Sequence, residues 1–208
     1  MGVNSGYNQH DVQELARVMT GVGVNFRPER PYLMRLPGYV REGAFEFNPR
    51  RHDFGPKDFL GQPIRNHGLA EFDEALDRLA RAPATARFIS HELAVYWLSD
   101  NPPPALVERM AQTFQHSDGD IAATLHTLLT SPEFAQSADH KFKDPMRYVI
   151  SAVRLAYNDK TILNVRPMLN WLNRMGEPMY GHQTPDGYPL DAASWNSPGQ
   201  MTTRFEIA

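Results

Sequence analysis

Pro83-Ala84-Thr85-Ala86-Arg87-Phe88-Ile89-Ser90-His91-Glu92-Leu93-Ala94-Val95-Tyr96-Trp97 opens the stretch that decides the fold. Pro104-Ala105-Leu106-Val107-Glu108-Arg109-Met110-Ala111 and Asp120-Ile121-Ala122-Ala123-Thr124-Leu125-His126-Thr127-Leu128-Leu129 continue it, up to Ser131-Pro132-Glu133-Phe134. Three apolar-periodic segments follow one another, each opened by proline or aspartate. Proline suits the first helical position, where its missing N–H costs nothing, and aspartate suits the cap. The spacing predicts three buried faces: Phe88, Ile89, Leu93, Tyr96 and Trp97; then Leu106, Val107, Met110 and Phe114; then Ile121, Leu125, Leu128 and Leu129. Connections of a few residues between helices this short imply neighbours packed at steep angles rather than a long parallel bundle. No catalytic signature lies within the stretch.

Helical writing extends to both sides. Near the start, Asn8 and Asp11 are candidate caps, and Asp11 with Glu14 has capping-box spacing. Val12, Leu15, Ala16 and Met19 share a face, and Gly21 supplies a stop. Phe72, Leu76, Leu79 and Ala80 form a stripe that ends before Pro83. Ser131-Pro132 and Asp144-Pro145 each place a cap before a proline, and the second leads into Tyr148, Val149, Ala152, Val153 and Ala156. A helix within 163–175, bent or begun at Pro167, is closed by Gly176, and Ser197-Pro198 starts a last short one. Residues 177–196 are irregular.

Between the first and second helices, residues 22–62 lose the helical period. Pro28, Pro31 and Pro37 break it, while Val22-Gly23-Val24 and Phe45-Glu46-Phe47 alternate like short strands, so a small hairpin or ordered loop is expected. From Arg27 to Lys57 the segment carries seven Lys or Arg against four acids, with Tyr32, Tyr39, Phe45, Phe47 and Phe54 interleaved. That mixture suits polyanion or nucleic-acid binding, or else a solvated loop pinned by buried aromatics.

Bulk composition narrows the classes. The 208 residues, 41% hydrophobic and 22% charged, suffice for a globular core. A net charge of −3 gives no general attraction to nucleic acid or anionic membrane. No apolar run approaches the ~20 residues that span a bilayer, and the start has no signal-peptide core. Without cysteine there is no disulfide, thiolate metal site or cysteine nucleophile. Nor is there a Gly-x-Ser-x-Gly elbow or a phosphate loop, and Val95 stands where a zinc-protease helix begun at His91-Glu92 needs histidine.

Several motifs together resemble the bacterial family catalogued as domain of unknown function 1800. They are Tyr7-Asn8-Gln9-His10-Asp11-Val12-Gln13-Glu14-Leu15-Ala16 with Thr20-Gly21, and His52-Asp53-Phe54-Gly55-Pro56-Lys57 with Leu60-Gly61. Pro83 to Ile89, Ser131 to Phe134, Thr184-Pro185-Asp186-Gly187-Tyr188-Pro189 and Trp195 continue the match over nearly the whole chain. The resemblance implies an exported, periplasmic or extracellular protein about twice as long, with this chain as its C-terminal half. The N-terminal half would carry the export signal. No activity comes with the family.

Two places could carry chemistry. His52-Asp53 offers an imidazole and a carboxylate at a turn, to a metal or a substrate; alternatively Asp53 builds an Asx-type turn and His52 caps a loop. The loop holding His182, Asp186, Tyr188, Asp191, Ser194 and Trp195 is the polar, aromatic kind that lines pockets. Were His182 and Asp186 to approach His52 and Asp53, a site for a divalent metal would follow. His91 and His126 are expected as partly buried, hydrogen-bonded histidines.

The expectation is a single all-α domain over 1–208, a compact orthogonal array of about seven to nine helices with the extended insertion at 22–62. Its expected function is a binding or assembly module, partnered by the N-terminal half of the same protein or another exported protein. The alternatives are a metal-assisted hydrolase completed by that half, and a polyanion binder acting through Arg27–Lys57.

Overall fold

A computed structural model describes residues 1–2, 5–27, 31–137, 141–184 and 186–208. Ten α-helices lie among them: α1 (Gln9–Val18), α2 (Pro31–Met34), α3 (Leu69–Arg81), α4 (Pro83–Trp97), α5 (Pro104–His116), α6 (Ile121–Leu129), α7 (Pro132–Gln136), α8 (Pro145–Tyr157), α9 (Arg166–Arg174) and α10 (Pro198–Ile207). The strands are β1 (Val22–Val24), β2 (Val40–Glu42), β3 (Phe45–Phe47), β4 (Asp58–Phe59) and β5 (Gln62–Pro63). The fold is mostly helical rather than all-α. The helix beyond the expected number is the short α2, which has too few residues to show a period.

The chain forms two compact units. The first comprises Met1–Ile89 and Ala111–Ile121, the second Ser90–Met110 and Ala122–Ala208.

In the first unit the 22–62 segment becomes a three-stranded antiparallel sheet, ordered β1-β3-β2, and a β4-β5 ribbon. Phe47 stands opposite both Val22 and Val40. Central β3 buries Phe47 on one side and Glu46 on the other. The Glu46 carboxylate survives burial by accepting from Tyr39 Oη at 2.8 Å and from Asn25 Nδ2. The core of this unit joins Val18, Phe59 and Ala75 to Leu15, Phe72 and Leu79, with a second cluster of Ala86, Ala111 and Phe114.

The buried face of α1 differs from the apolar stripe. Asp11, Glu14 and Val18 are buried, whereas Val12 and Met19 are exposed. Asn8 is the N-cap and Asp11 the N3 partner of its capping box. The acids face inward because unpaired backbone N–H groups wait there. Asp11 Oδ1 accepts from Leu60 N at 2.8 Å, and Glu14 Oε2 from Asp58 N at 3.0 Å. Satisfying buried donors outweighs burying two exposed apolar side chains.

In the second unit Ala94, Leu98, Leu106, Met110 and Leu128 form one cluster and Val149, Val153, Leu172 and Met175 another. Along α4 the buried residues are small (Ala86, Ser90 and Ala94), while Phe88, Tyr96 and Trp97 are exposed. Of the expected face, Ile89 and Leu93 pack partly buried against the core, whereas Phe88, Tyr96 and Trp97 turn outward. His91 and His126 are exposed, not partly buried.

Candidate functional site

In the first unit the site grows from the end of α1. Gly21 leaves the helix at φ +84, and a Cβ there would stand 2.8 Å from Asn48 O and 3.1 Å from His52 Cβ. Gly21 O accepts from Asn48 N at 2.8 Å. Asn48 then caps a 3₁₀ turn, Pro49–Arg51, and His52 ends it. This brings His52 against α1. Its Nδ1 lies 2.7 Å from Thr20 O, an atom that only accepts, so the Nδ1 proton points there. Its Nε2 lies 3.2 Å from Glu71 Oε1, off the hydrogen-bonding direction. Phe47 and Phe54 close the ring edge-on, with centroids at 5.2 and 4.8 Å.

Glu71 is the N3 residue of α3 and accepts from Gly68 N at 3.1 Å. Its other oxygen faces Lys57 Nζ at 2.7 Å. Lys57 also donates to Gly55 O at 3.1 Å and to Asp53 O. His52, Lys57 and Glu71 are all buried.

Asp53 turns the other way. Oδ1 accepts from Gly55 N at 2.8 Å, an Asx-type turn, and Oδ2 accepts from Arg17 Nε at 2.8 Å. Arg17 also holds Glu14, with Nη1 at 2.8 Å from Oε1. The Arg17 guanidinium and the Gly55 N–H hold the Asp53 carboxyl down at about 2. For Glu14 burial pushes the carboxyl up, and Arg17 together with the Asp58 N–H more than reverses it.

The second unit contains the irregular loop. His182 Nδ1 lies 3.0 Å from Thr184 O and 3.7 Å from Asp186 Oδ1, and Thr184 Oγ1 donates to Asp186. Pro185 lies outside the described residues. The His182 ring meets Tyr188 edge-on at 4.8 Å, and Tyr188 meets Trp195 at 6.2 Å. Tyr188 Oη donates to Pro178 O at 3.0 Å, and Trp195 Nε1 to Pro189 O at 2.8 Å. Asp191 caps the 3₁₀ turn Ala192–Ser194. The loop is anchored by Asp100, which accepts from Ala192 N at 2.7 Å and from Lys141 Nζ, while Lys141 donates to Leu190 O at 2.8 Å. Tyr180, at its tip, is 98% exposed.

His52 and Asp53 thus sit together in one unit, and His182, Asp186, Tyr188 and Trp195 in the other. Among the described residues, no three His, Asp or Glu side chains are grouped to hold a metal ion. No helix is long and apolar enough to cross a membrane, again among the described residues.

Within the Arg27–Lys57 segment, a cavity of about 380 Å³ is lined by Arg27, Tyr32, Glu46, Asn48 and Arg51 among others. Arg41 is turned onto the carbonyls of Asn25, at 3.2 Å, and Arg27, at 2.6 Å. Lys57 is committed to Glu71. Arg30 lies outside the described residues.

Reading the sequence for sites missed Glu71, Lys57, Arg17 and Glu14. Glu71 carried a signal, since it stands three residues after Gly68 at a helix start. Arg17 and Glu14 carried one too, as an i, i+3 pair on α1.

The model of a family described as protein of unknown function, DUF1800, matches residues 1–208. No curated protein and no solved structure matches the chain.

Proposed function

The chain belongs to the DUF1800 family, proteins of unknown function, and we propose that it is a binding or assembly module of an exported bacterial protein. One observation carries this reading. Tyr180 is 98% exposed and holds a left-handed backbone, φ +58. A non-glycine residue in that region costs about 1–2 kcal/mol. Its neighbour Gly181 donates its N–H to Pro178 O at 3.0 Å. A Cβ on Gly181 would meet Pro178 Cγ at 2.5 Å and Tyr188 Oη at 2.9 Å. A tight, internally bonded turn therefore keeps an aromatic ring in water against both its conformational and its hydrophobic preference. Strain of this kind collects at binding sites, and exposed tyrosines on rigid loops make effective anchors.

In this reading His182, Asp186, Tyr188 and Trp195 form the support beneath the tip. His52 and Asp53 hold the first unit together, since their polar atoms face Thr20, Glu71, Arg17 and Gly55. The partner we propose is the N-terminal half that the family resemblance places before this chain.

A thermal melt of the chelator-stripped chain, repeated with Mg, Ca, Mn and Zn singly, separates this from a metal-assisted hydrolase. The module predicts an unmoved midpoint. A ligand at about 100 times its dissociation constant adds roughly 2.7 kcal/mol. A rise of several degrees with one ion, lost in His52→Ala, would put the hydrolase in its place.

A further inference from the structure

A groove of about 400 Å³ in the second unit is lined by Tyr96 and Trp97 at the end of α4 and by Lys143, Arg147, Ser151 and Arg154 at and along α8. Arg147, Ser151 and Arg154 recur at i, i+4 and i+7, so they share one helix face. Phe142, Ile150 and Lys141 complete the lining, and no Asp or Glu belongs to it.

The charges in this groove are only partly neutralised. Asp100 is engaged by Lys141 and Ala192 N. Asp144 caps α8 by accepting from Arg147 N at 2.7 Å, and its second oxygen lies 3.5 Å from Arg147 Nε. Lys143 donates to Ser151 Oγ at 3.0 Å. Neither Lys143 nor Arg154 has a carboxylate partner among the described residues. Arg147 is held rigidly: its guanidinium carbon stands 3.9 Å from the Tyr96 ring centroid, and Nη2 donates to Tyr96 O at 2.8 Å. Its Nη1 is shut off from solvent without a hydrogen-bond partner among the described residues.

Beside these cations the groove offers a ring surface. Trp97 is 49% exposed and meets Tyr96 edge-on at 5.1 Å. Because Arg147 covers Tyr96, Trp97 is the ring left for a ligand. A fixed guanidinium with two further cations favours a doubly charged oxyanion over a lone carboxylate. The volume suits a small molecule rather than a polymer.

We propose that this groove binds a phosphate monoester carried on a ring, the phosphate held by Arg147, Lys143 and Arg154 and the ring laid on Trp97. The proposal does not rest on the function assigned to the Tyr180 tip, although Lys141 in the groove lining also donates to Leu190 O of that loop.

Calorimetric titration of the whole chain at low salt with uridine monophosphate, ribose 5-phosphate and inorganic phosphate tests it. At least one organic phosphate should bind about tenfold more tightly than inorganic phosphate, the range expected for stacking on one ring. Trp97→Ala should abolish that advantage. Arg154→Gln, at an exposed position, should weaken binding several-fold without moving the melting midpoint. A preference for the nucleotide over ribose 5-phosphate puts the base on Trp97, and equal binding puts the sugar there. Absence of saturable binding by all three ligands would overturn the proposal. So would inorganic phosphate binding as tightly as either ester, or an Arg154→Gln chain that binds unchanged.

Discussion

Lys57 Nζ sits 2.7 Å from Glu71 Oε2, and neither side chain reaches water. The pair joins the turn after His52 to the first turn of α3. Breaking a buried pair strands one charge, which costs about 3–5 kcal/mol. Glu71→Ala also removes the acceptor for Gly68 N–H, whereas Glu71→Gln keeps one. Denaturant titration should therefore show a large loss for both, with alanine the worse.

Gly21→Ala tests how His52 is placed. The left-handed backbone alone costs about 1–2 kcal/mol for a non-glycine residue. A contact of 2.8 Å with the Asn48 carbonyl adds to that, because backbone cannot swing aside. We predict a loss above the conformational cost alone, read as a lowered melting midpoint. A neutral substitution would mean that the Asn48–His52 turn is not anchored on α1.

Acid should loosen the first unit in a defined window. Asp53 has its folded value depressed from 3.8 to about 2, so its pairing with Arg17 stabilises fully above the unfolded value. That stability is lost as the pH falls through the window between the two. Asp53→Asn should lower the midpoint at neutral pH and flatten its fall across this window. Melts at a series of acidic pH values read both effects.

Glu177 has the opposite sign. Burial raises its carboxyl above 4.5, the Asp144 carboxylate adds to the rise, and the N–H of Met146 opposes it. A raised acid contributes stability below its unfolded value and loses it as pH rises through the folded one. Glu177→Gln keeps an acceptor for Met146 N, now at 2.8 Å from Oε2. It should raise the melting midpoint at neutral pH and leave it nearly unchanged in acid.

Legibility followed the kind of force at work. The caps at Ser131, Asp144 and Ser197 were read correctly, because capping is local and each side chain accepts from an N–H three residues on. The faces of α5 and the middle of α8 were legible as well, since Leu106, Met110, Val149 and Val153 are large, apolar and periodic. On α4 the same rule held for Ile89 and Leu93 but misled at Phe88, Tyr96 and Trp97. Close packing there selected Ala86, Ser90 and Ala94, and size alone cannot distinguish an inward alanine from an indifferent one. On α1, Asp11 and Glu14 turn inward for the N–H groups of Leu60 and Asp58, more than forty residues away. The alternation of β1 and β3 was visible, but not their pairing in the order β1-β3-β2. Asp53 showed its Asx-type turn from sequence, whereas its ion pair with Arg17, 36 residues away, had no local trace.

Hydrogen exchange on this chain, alone and mixed with the N-terminal half proposed as its partner, tests the central claim most directly. The account predicts slowed exchange across 177–195, with the effect weakened by Tyr180→Ala while the chain's own melting midpoint stays in place. Protection elsewhere that leaves this loop unchanged, or protection indifferent to Tyr180→Ala, would contradict it.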